Sequence, residues 1–364
     1  MNKRIVFATG IYPPEIGGPA TYAALMEAEL IRRGWVVEVL PFRSVRAWPT
    51  GIRHALYAWK LWRASRGAAV VFAQDTVSVG LPAALVARLR RAPLVLRVPG
   101  EFAWGQAVQR FGVQDGIDTF QTKTYGWRVE MLRSIQRFVA RSATRVIAPS
   151  QYFATLVQGW LLPDAPRVRH IYNGVALPAN LRLATFDRLT IVTAARLVPW
   201  KGIDRLIRLL PSCSQEAQLL VIGDGPDRTR LEGIARDAGV EDRVKFTGQL
   251  PREELLAEVA GADLFVLASS FESFSFQLVE AMMLGKAIVA QRSGNIEEMI
   301  RSGQSGVLVE PENDEALVEA IQSLLMHPDQ REALGRAAKQ ASATFSVQAT
   351  GDALEALLRE ILPV

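Results

Sequence analysis

The sequence predicts an α/β chain of two doubly wound parallel-sheet units, and three observations carry that reading. Short apolar runs alternate with amphipathic helical stretches along the whole chain, the pattern left by parallel strands and right-handed crossovers. At 364 residues the chain is too long for one ordinary core. The alternation also pauses over residues 176–188, a segment with no clear periodicity after Asn173-Gly174, and then resumes.

In the first half, strands are expected at Arg4–Ala8, Val36–Leu40, Ala69–Phe72, Leu94–Val98 and Arg145–Ile147, with helices such as Ala20–Arg33 and Pro82–Arg90 between them. In the second, Leu189–Ala194, Gln218–Ile222, Val244–Thr247, Leu264–Ala268, Ala287–Ala290 and Gly306–Val309 alternate with helices such as Pro226–Ala238, Glu253–Val259 and Asp314–Leu325. The last stretch, Gln348–Ile361, has helical spacing and could pack away from its own sheet. The expected division is therefore 1–182, a first Rossmann-like domain; 183–345, a second; and 346–364, a terminal helix that could pack back toward the first.

Composition narrows the chemistry. Cys213 is the sole cysteine, which excludes an internal disulfide and a cysteine-rich zinc site. His54, His170 and His327 have no paired spacing, so a histidine metal site is not expected. No apolar run approaches the ~18 residues that span a bilayer, and the opening Met1-Asn2-Lys3-Arg4 leads into a first strand rather than a cleavable leader. A cytoplasmic protein is expected. Charge is divided unevenly: residues 1–185 hold 24 Lys/Arg against 10 Asp/Glu, the remainder 18 against 27. A first half this basic suggests an anionic partner.

Ligands of open parallel sheets bind beyond the carboxyl ends of the strands, so the post-strand loops matter most. Gly17-Gly18 precede a helix; they serve either a tight turn or the close approach of an anion to backbone amides. Arg196 and Lys201 lie on one post-strand loop with Pro199 and Gly202, and could either neutralise a pyrophosphate or stand solvated. Gly223-Asp224-Gly225-Pro226 reads as a capped turn, and backbone groups of the Phe246–Pro251 loop, Gln249 and Leu250 among them, could recognise a base. Phe271–Met282 places Glu272 in a loop and Glu280 on the second turn of a helix, with the amides of Phe274, Ser275 and Phe276 at the helix start. Amides and carboxylates together suit the phosphates and hydroxyls of a nucleotide sugar.

Taken in order, these pieces resemble the retaining glycosyltransferases of family four, which have the GT-B fold. The matching residues are Gly17-Gly18, Ala148-Pro149-Ser150, Tyr172-Asn173-Gly174-Val175, Arg196 with Lys201-Gly202, Gly223-Asp224-Gly225-Pro226, Phe246-Thr247-Gly248, Glu272 with Glu280, and Gly306–Pro311. The resemblance implies two Rossmann-like domains facing a central cleft and transfer of a hexosyl unit from a UDP- or GDP-sugar, with retention and without a metal or other cofactor. Glu280 would bind the ribose, Glu272 the transferred sugar, and Arg196 and Lys201 the pyrophosphate, approached also by Gly17-Gly18. Acceptors would be glycans or lipid-linked sugars of a bacterial surface polysaccharide or glycolipid.

Two departures stand out. The loop Arg97–Gly105 lacks the histidine many members carry; Glu101 could replace it, or be an acidic loop residue opposite Arg97. Ser275 stands where glycine is commoner, its hydroxyl near the donor. Residues 48–67 interleave Trp48, Tyr57, Trp59 and Trp62 with Arg53, Lys60, Arg63 and Arg66, fitting either a helix at an anionic membrane on the inner face or an ordinary sheet-covering helix. Other readings of the whole are an epimerase or hydrolase of nucleotide sugars and an inactive nucleotide-sugar-binding protein. Nucleic acid is not an expected partner, because the aromatics and cations form no recognised module.

Overall fold

The computed structural model describes residues 3–165 and 167–362. The chain divides into two compact units, Met1–Val175 with Phe345–Val364, and Ala176–Thr344. The first passage falls at 175/176, ahead of the expected 182/183, because backbone contacts assign the residues. Val175 donates its amide to the Phe345 carbonyl at 2.9 Å, whereas the Ala176 carbonyl accepts from Arg252 at 2.6 Å.

The first unit is a six-stranded parallel sheet: β1 (Arg4–Thr9), β2 (Val36–Pro41), β3 (Val70–Ala73), β4 (Leu94–Arg97), β5 (Arg145–Ala148) and β6 (Arg169–His170). Their order is β2-β1-β3-β4-β5-β6. β1, β3 and β4 are apolar runs without alternation and are buried along nearly their whole length, as strands covered on both faces must be. The helix Val347–Ile361 completes this unit. It packs on the helix Gly18–Arg32, where Arg33 reaches Asp352 at 2.7 Å and Glu355 at 3.3 Å.

The second unit repeats the plan with β7 (Leu189–Ala194), β8 (Ala217–Ile222), β9 (Val244–Gly248), β10 (Leu264–Leu267), β11 (Ala287–Gln291) and β12 (Val307–Val309), in the order β12-β11-β10-β7-β8-β9. Ile191, Leu219, Val221, Val266 and Val289 form its core with Leu317 and Ile321 of the helix Asp314–Met326. Each such side chain contributes about 1.5–3 kcal/mol on burial.

In both sheets the first strand has neighbours added on either side, so the connections leave in opposite directions. The switch point lies between β1 and β3 in the first unit and between β7 and β10 in the second. Loops diverge there and leave room for a ligand at the carboxyl end.

Candidate functional site

In the second unit, the loops after β7, β8, β9 and β10 are fastened to one another by backbone. Leu197 donates to the Asp224 carbonyl and Gly223 to the Gly248 carbonyl, at 3.0 and 2.9 Å. Two glycines permit this approach. A Cβ at Gly223 would stand 2.0 Å from the Ala195 carbonyl oxygen, and one at Gly202, whose φ is +64°, 2.2 Å from that of Ala268. Gly202 thereby locks the β7 loop to the β10 loop across the switch point.

The lock brings two charged side chains together. Lys201 Nζ donates to Glu272 Oε1 at 2.5 Å, and both side chains are largely buried. Arg196, on the same loop as Lys201, is exposed and has no hydrogen bond or ion pair among the described residues. The loop after β7 therefore carries one cation paired to the carboxylate after β10 and one that is unpaired. Gln249 is exposed and Leu250 half-buried after β9, beside the Gly223–Gly248 contact.

Glu280 lies on the helix Phe276–Met283, one face of which is driven into the core by Leu278, Val279 and Met282. Its carboxylate is buried and accepts from Arg252 Nε at 3.1 Å and Nη2 at 2.7 Å, both at Oε1. Burial raises the Glu280 carboxyl above the usual range, and the Arg252 guanidinium opposes the rise. Ser275 is the helix N-cap: its Oγ accepts the Leu278 amide at 3.2 Å, and the residue is 1% exposed. The Ser275 hydroxyl acts here as an acceptor, and such a cap contributes about 1 kcal/mol. Phe276, the first helical residue, is buried, with its ring edge-on to Phe274.

In the first unit, Gly17 is the N-cap of the helix Gly18–Arg32, with φ +150° and no side-chain cap. Glu101 is also an N-cap, of the helix Phe102–Phe111. One of its oxygens accepts the Trp104 amide and Oε1 accepts Gln136 Nε2 at 2.9 Å, and the residue is 5% exposed. Burial raises its carboxyl above the ordinary range, against these hydrogen bonds and the charges of Arg133 and Arg137. The carboxylate that the sequence offers as a replacement for the histidine also caps this helix. Arg97 does not pair with it: the guanidinium stacks on Tyr22 at 3.8 Å and donates to Asn173 Oδ1 at 2.7 Å. With no carboxylate partner, burial pulls Arg97 down to about 10.

The helix Ile52–Ala64 buries Tyr57 and Leu61 and leaves Trp59 and Trp62 exposed. It packs on the helix Gly80–Arg90, which adds exposed Leu85 and Leu89. Arg63 lies over Trp59 at 5.0 Å and Arg90 over Trp62 at 3.6 Å. Between Glu38 and Asp75 the sequence has no acidic residue. No helix among the described residues is long and apolar enough to cross a membrane, and none of their His, Cys, Asp and Glu side chains form a group of three or more that could hold a metal.

Comparison with known proteins makes the family explicit. Residues 184–341 match the family model "Glycosyl transferases group 1" and residues 37–174 match "Glycosyl transferase 4-like domain". The chain belongs to the group 1 glycosyltransferases of family-four type. It is 27% identical, over 92% of each chain, to a GDP-mannose-dependent alpha-(1-6)-phosphatidylinositol monomannoside mannosyltransferase of Mycolicibacterium smegmatis. Among solved structures it resembles HepE of Anabaena in complex with UDP and glucose, with TM-score 0.76, 21% identity and coverage of 98% of this chain and all of that one. It also resembles sucrose-phosphate synthase of Thermosynechococcus elongatus, with TM-score 0.79, 19% identity and 99% of both chains covered. The fold is GT-B.

Proposed function

We propose that the chain is a retaining hexosyltransferase that takes a UDP- or GDP-sugar and transfers its sugar to a glycan or lipid-linked acceptor of a bacterial surface polysaccharide or glycolipid. The observation that carries this is the Lys201–Glu272 pair at the β7/β10 switch point, with unpartnered Arg196 on the same loop. In this reading, Arg196 and Lys201 face the diphosphate and offset the charge that develops as it leaves. The amide of Phe276, at a helix start, adds a donor for the phosphate. Glu272, held by Lys201 through one oxygen, accepts from hydroxyls of the transferred sugar with the other. Glu280, held by Arg252 through Oε1, accepts from the ribose through Oε2. The backbone at Gly223, Gln249 and Leu250 borders the base.

The acceptor hydroxyl attacks the anomeric carbon on the face the nucleotide leaves, through an oxocarbenium-like state. The bond to the β-phosphate oxygen breaks as the glycosidic bond forms, and that oxygen takes the acceptor proton. Charge neutralisation by side chains removes the need for a metal. A thermal-shift panel of UDP-, GDP- and ADP-sugars, followed by transfer to lipid extracts and anomeric assignment of the product by NMR, tests the proposal. Stabilisation by none of the sugars defeats the donor site, and an inverted product defeats retention.

The acid-free, tryptophan-bearing face of the helices Ile52–Ala64 and Gly80–Arg90 supports a second element: peripheral binding to an anionic cytoplasmic membrane surface. Each basic residue near such a surface adds about 1 kcal/mol. Sedimentation with anionic vesicles should weaken as salt rises, and binding indifferent to lipid charge rules out this mode.

A further inference from the structure

At the free edge of the second sheet the core stands open. β12 is the last strand in the order, and a groove of about 650 Å³ runs between it, the helix Asp314–Met326 and the helix Pro328–Ala341. Its walls are Val307, Leu308, Ala316, Ala320, Leu324 and Leu334, all but Leu324 only partly buried. An added strand does not suit this edge. The Val309 carbonyl is turned to β11 and accepts the Arg292 amide at 2.8 Å, and the Leu308 amide is taken by Ser302 Oγ at 3.0 Å. What remains is an apolar trough, which fits the apolar face of a helix.

The rim is acidic. Residues 302–330 contain Glu310, Glu312, Asp314, Glu315, Glu319 and Asp329, and neither lysine nor arginine. Glu310 and Asp314 are paired with Arg292 and Arg205, whereas Glu312, Glu315, Glu319 and Asp329 have no ion-pair partner among the described residues. A complementary occupant is apolar along one face and cationic beside it.

The chain itself carries such a helix. In the first unit, Trp127, Met131 and Phe138 of the helix Trp127–Ser142 are 71%, 49% and 42% exposed, and their spacing puts them on one stripe. Arg128, Arg137 and Arg141 lie beside the stripe, none of them in an ion pair among the described residues. From Trp127 to Phe138 the helix rises about 16 Å, and the groove wall from Asn313 to Leu324 has the same length. We propose that the groove seats the helix Trp127–Ser142 of a second copy, so that chains associate head to tail. Two different surfaces meet in such a contact, so each copy keeps one end free and further copies extend a ring or an open chain. A contact this short falls in the weak class, below about 1,200 Å², where charge complementarity sets encounter rate and choice of partner.

Analytical ultracentrifugation of the full chain without nucleotide tests this. The average mass should climb above that of one chain over the micromolar range, and the climb should shrink as salt rises. Met131→Asp and Glu319→Arg change exposed helix positions, and each should weaken association at least about tenfold while moving Tm by less than about 2 °C. Should either lower Tm further, Trp127→Ser and Glu315→Arg probe the same two surfaces. Each variant loses a different end. Mixed in equal amounts, Met131→Asp and Glu319→Arg should therefore form a one-to-one complex that grows no further. A wild type that stays single at every concentration overturns the proposal, and so does a mixture that remains unassociated. Association abolished by Met131→Asp but indifferent to Glu319→Arg marks a two-fold contact of helix on helix, and also overturns it. A wild type that stays single yet loses vesicle binding through Met131→Asp assigns the stripe to a lipid surface instead.

Discussion

Replacing Arg252 by methionine isolates the support of Glu280. The guanidinium makes two charge-assisted hydrogen bonds to one buried carboxylate oxygen. Bonds to charged groups contribute about 1.5–3 kcal/mol each. They share a single acceptor atom, and the Arg252 side chain is 41% exposed, so solvent screening discounts the sum heavily. A net loss of about 2 kcal/mol is expected at neutral pH, or roughly 4–8 °C in Tm for a unit of this size. The sign with pH follows from the raised Glu280 carboxyl. The folded state holds that proton more tightly than the unfolded chain does, so the buried carboxylate weakens the fold fully above its folded pKa. The penalty fades as pH falls through that value toward the unfolded one, about 4.3. Without Arg252 the folded value climbs further. The Tm gap between wild type and Arg252→Met should therefore be widest at neutral pH and narrow on acidification. Adding Glu280→Gln to Arg252→Met should recover most of the loss. Differential scanning calorimetry from pH 8 to pH 4.5 reads both; a gap that is flat or widens toward acid refutes the reasoning, as does a double variant no better than Arg252→Met.

Other expectations follow from the same geometry. Lys201→Met should lower kcat/KM for donor turnover by about 10²–10³, the loss typical of a group that stabilises transition-state charge, and steady-state kinetics measures it. Gly223→Ala should destabilise the second unit by more than about 2 kcal/mol in denaturant titration, because its Cβ has no room before the Ala195 carbonyl. Glu101→Ala should lower Tm through loss of a cap and leave kcat within about tenfold at a temperature where the variant is folded; a fall of a thousandfold with Tm unchanged would return Glu101 to catalysis.

Much of this was legible in sequence. The uninterrupted apolar runs gave β1, β3, β4, β7 and β10 to within a residue or two, because strands covered on both faces need apolar side chains throughout. β6 escaped notice: it is two exposed residues, Arg169–His170, with no apolar signal at all. The eight-residue spacing of Glu272 and Glu280 marked the loop and helix correctly, but their partners differ in visibility. Lys201 lay on a loop already singled out. Arg252 is separated from Glu280 by 28 positions, and the one local sign was a cation at the first position of the helix Arg252–Gly261, where the helix dipole favours acids. The cap role of Glu101 was not visible in sequence, because Gln136, which donates to its carboxylate, lies 35 positions away.

The return of the chain to its first unit carries a consequence for how the protein is made. The helix Val347–Ile361 supplies Asp352 and Glu355 to Arg33, and Gly351 lies so close to Glu29 that an added Cβ would stand 2.7 Å from its Cγ. Gly351, Asp352 and Glu355 are made only after the whole sequence of the second unit. During synthesis, therefore, the second unit has its whole sequence available first, while the first unit waits on residues made after it for its closing helix. A chain stopped at residue 344 would carry a finished second unit and a first unit whose helix Gly18–Arg32 still lacks its cover. Quality control acting on that exposed face would thus test whether synthesis had passed beyond the second unit.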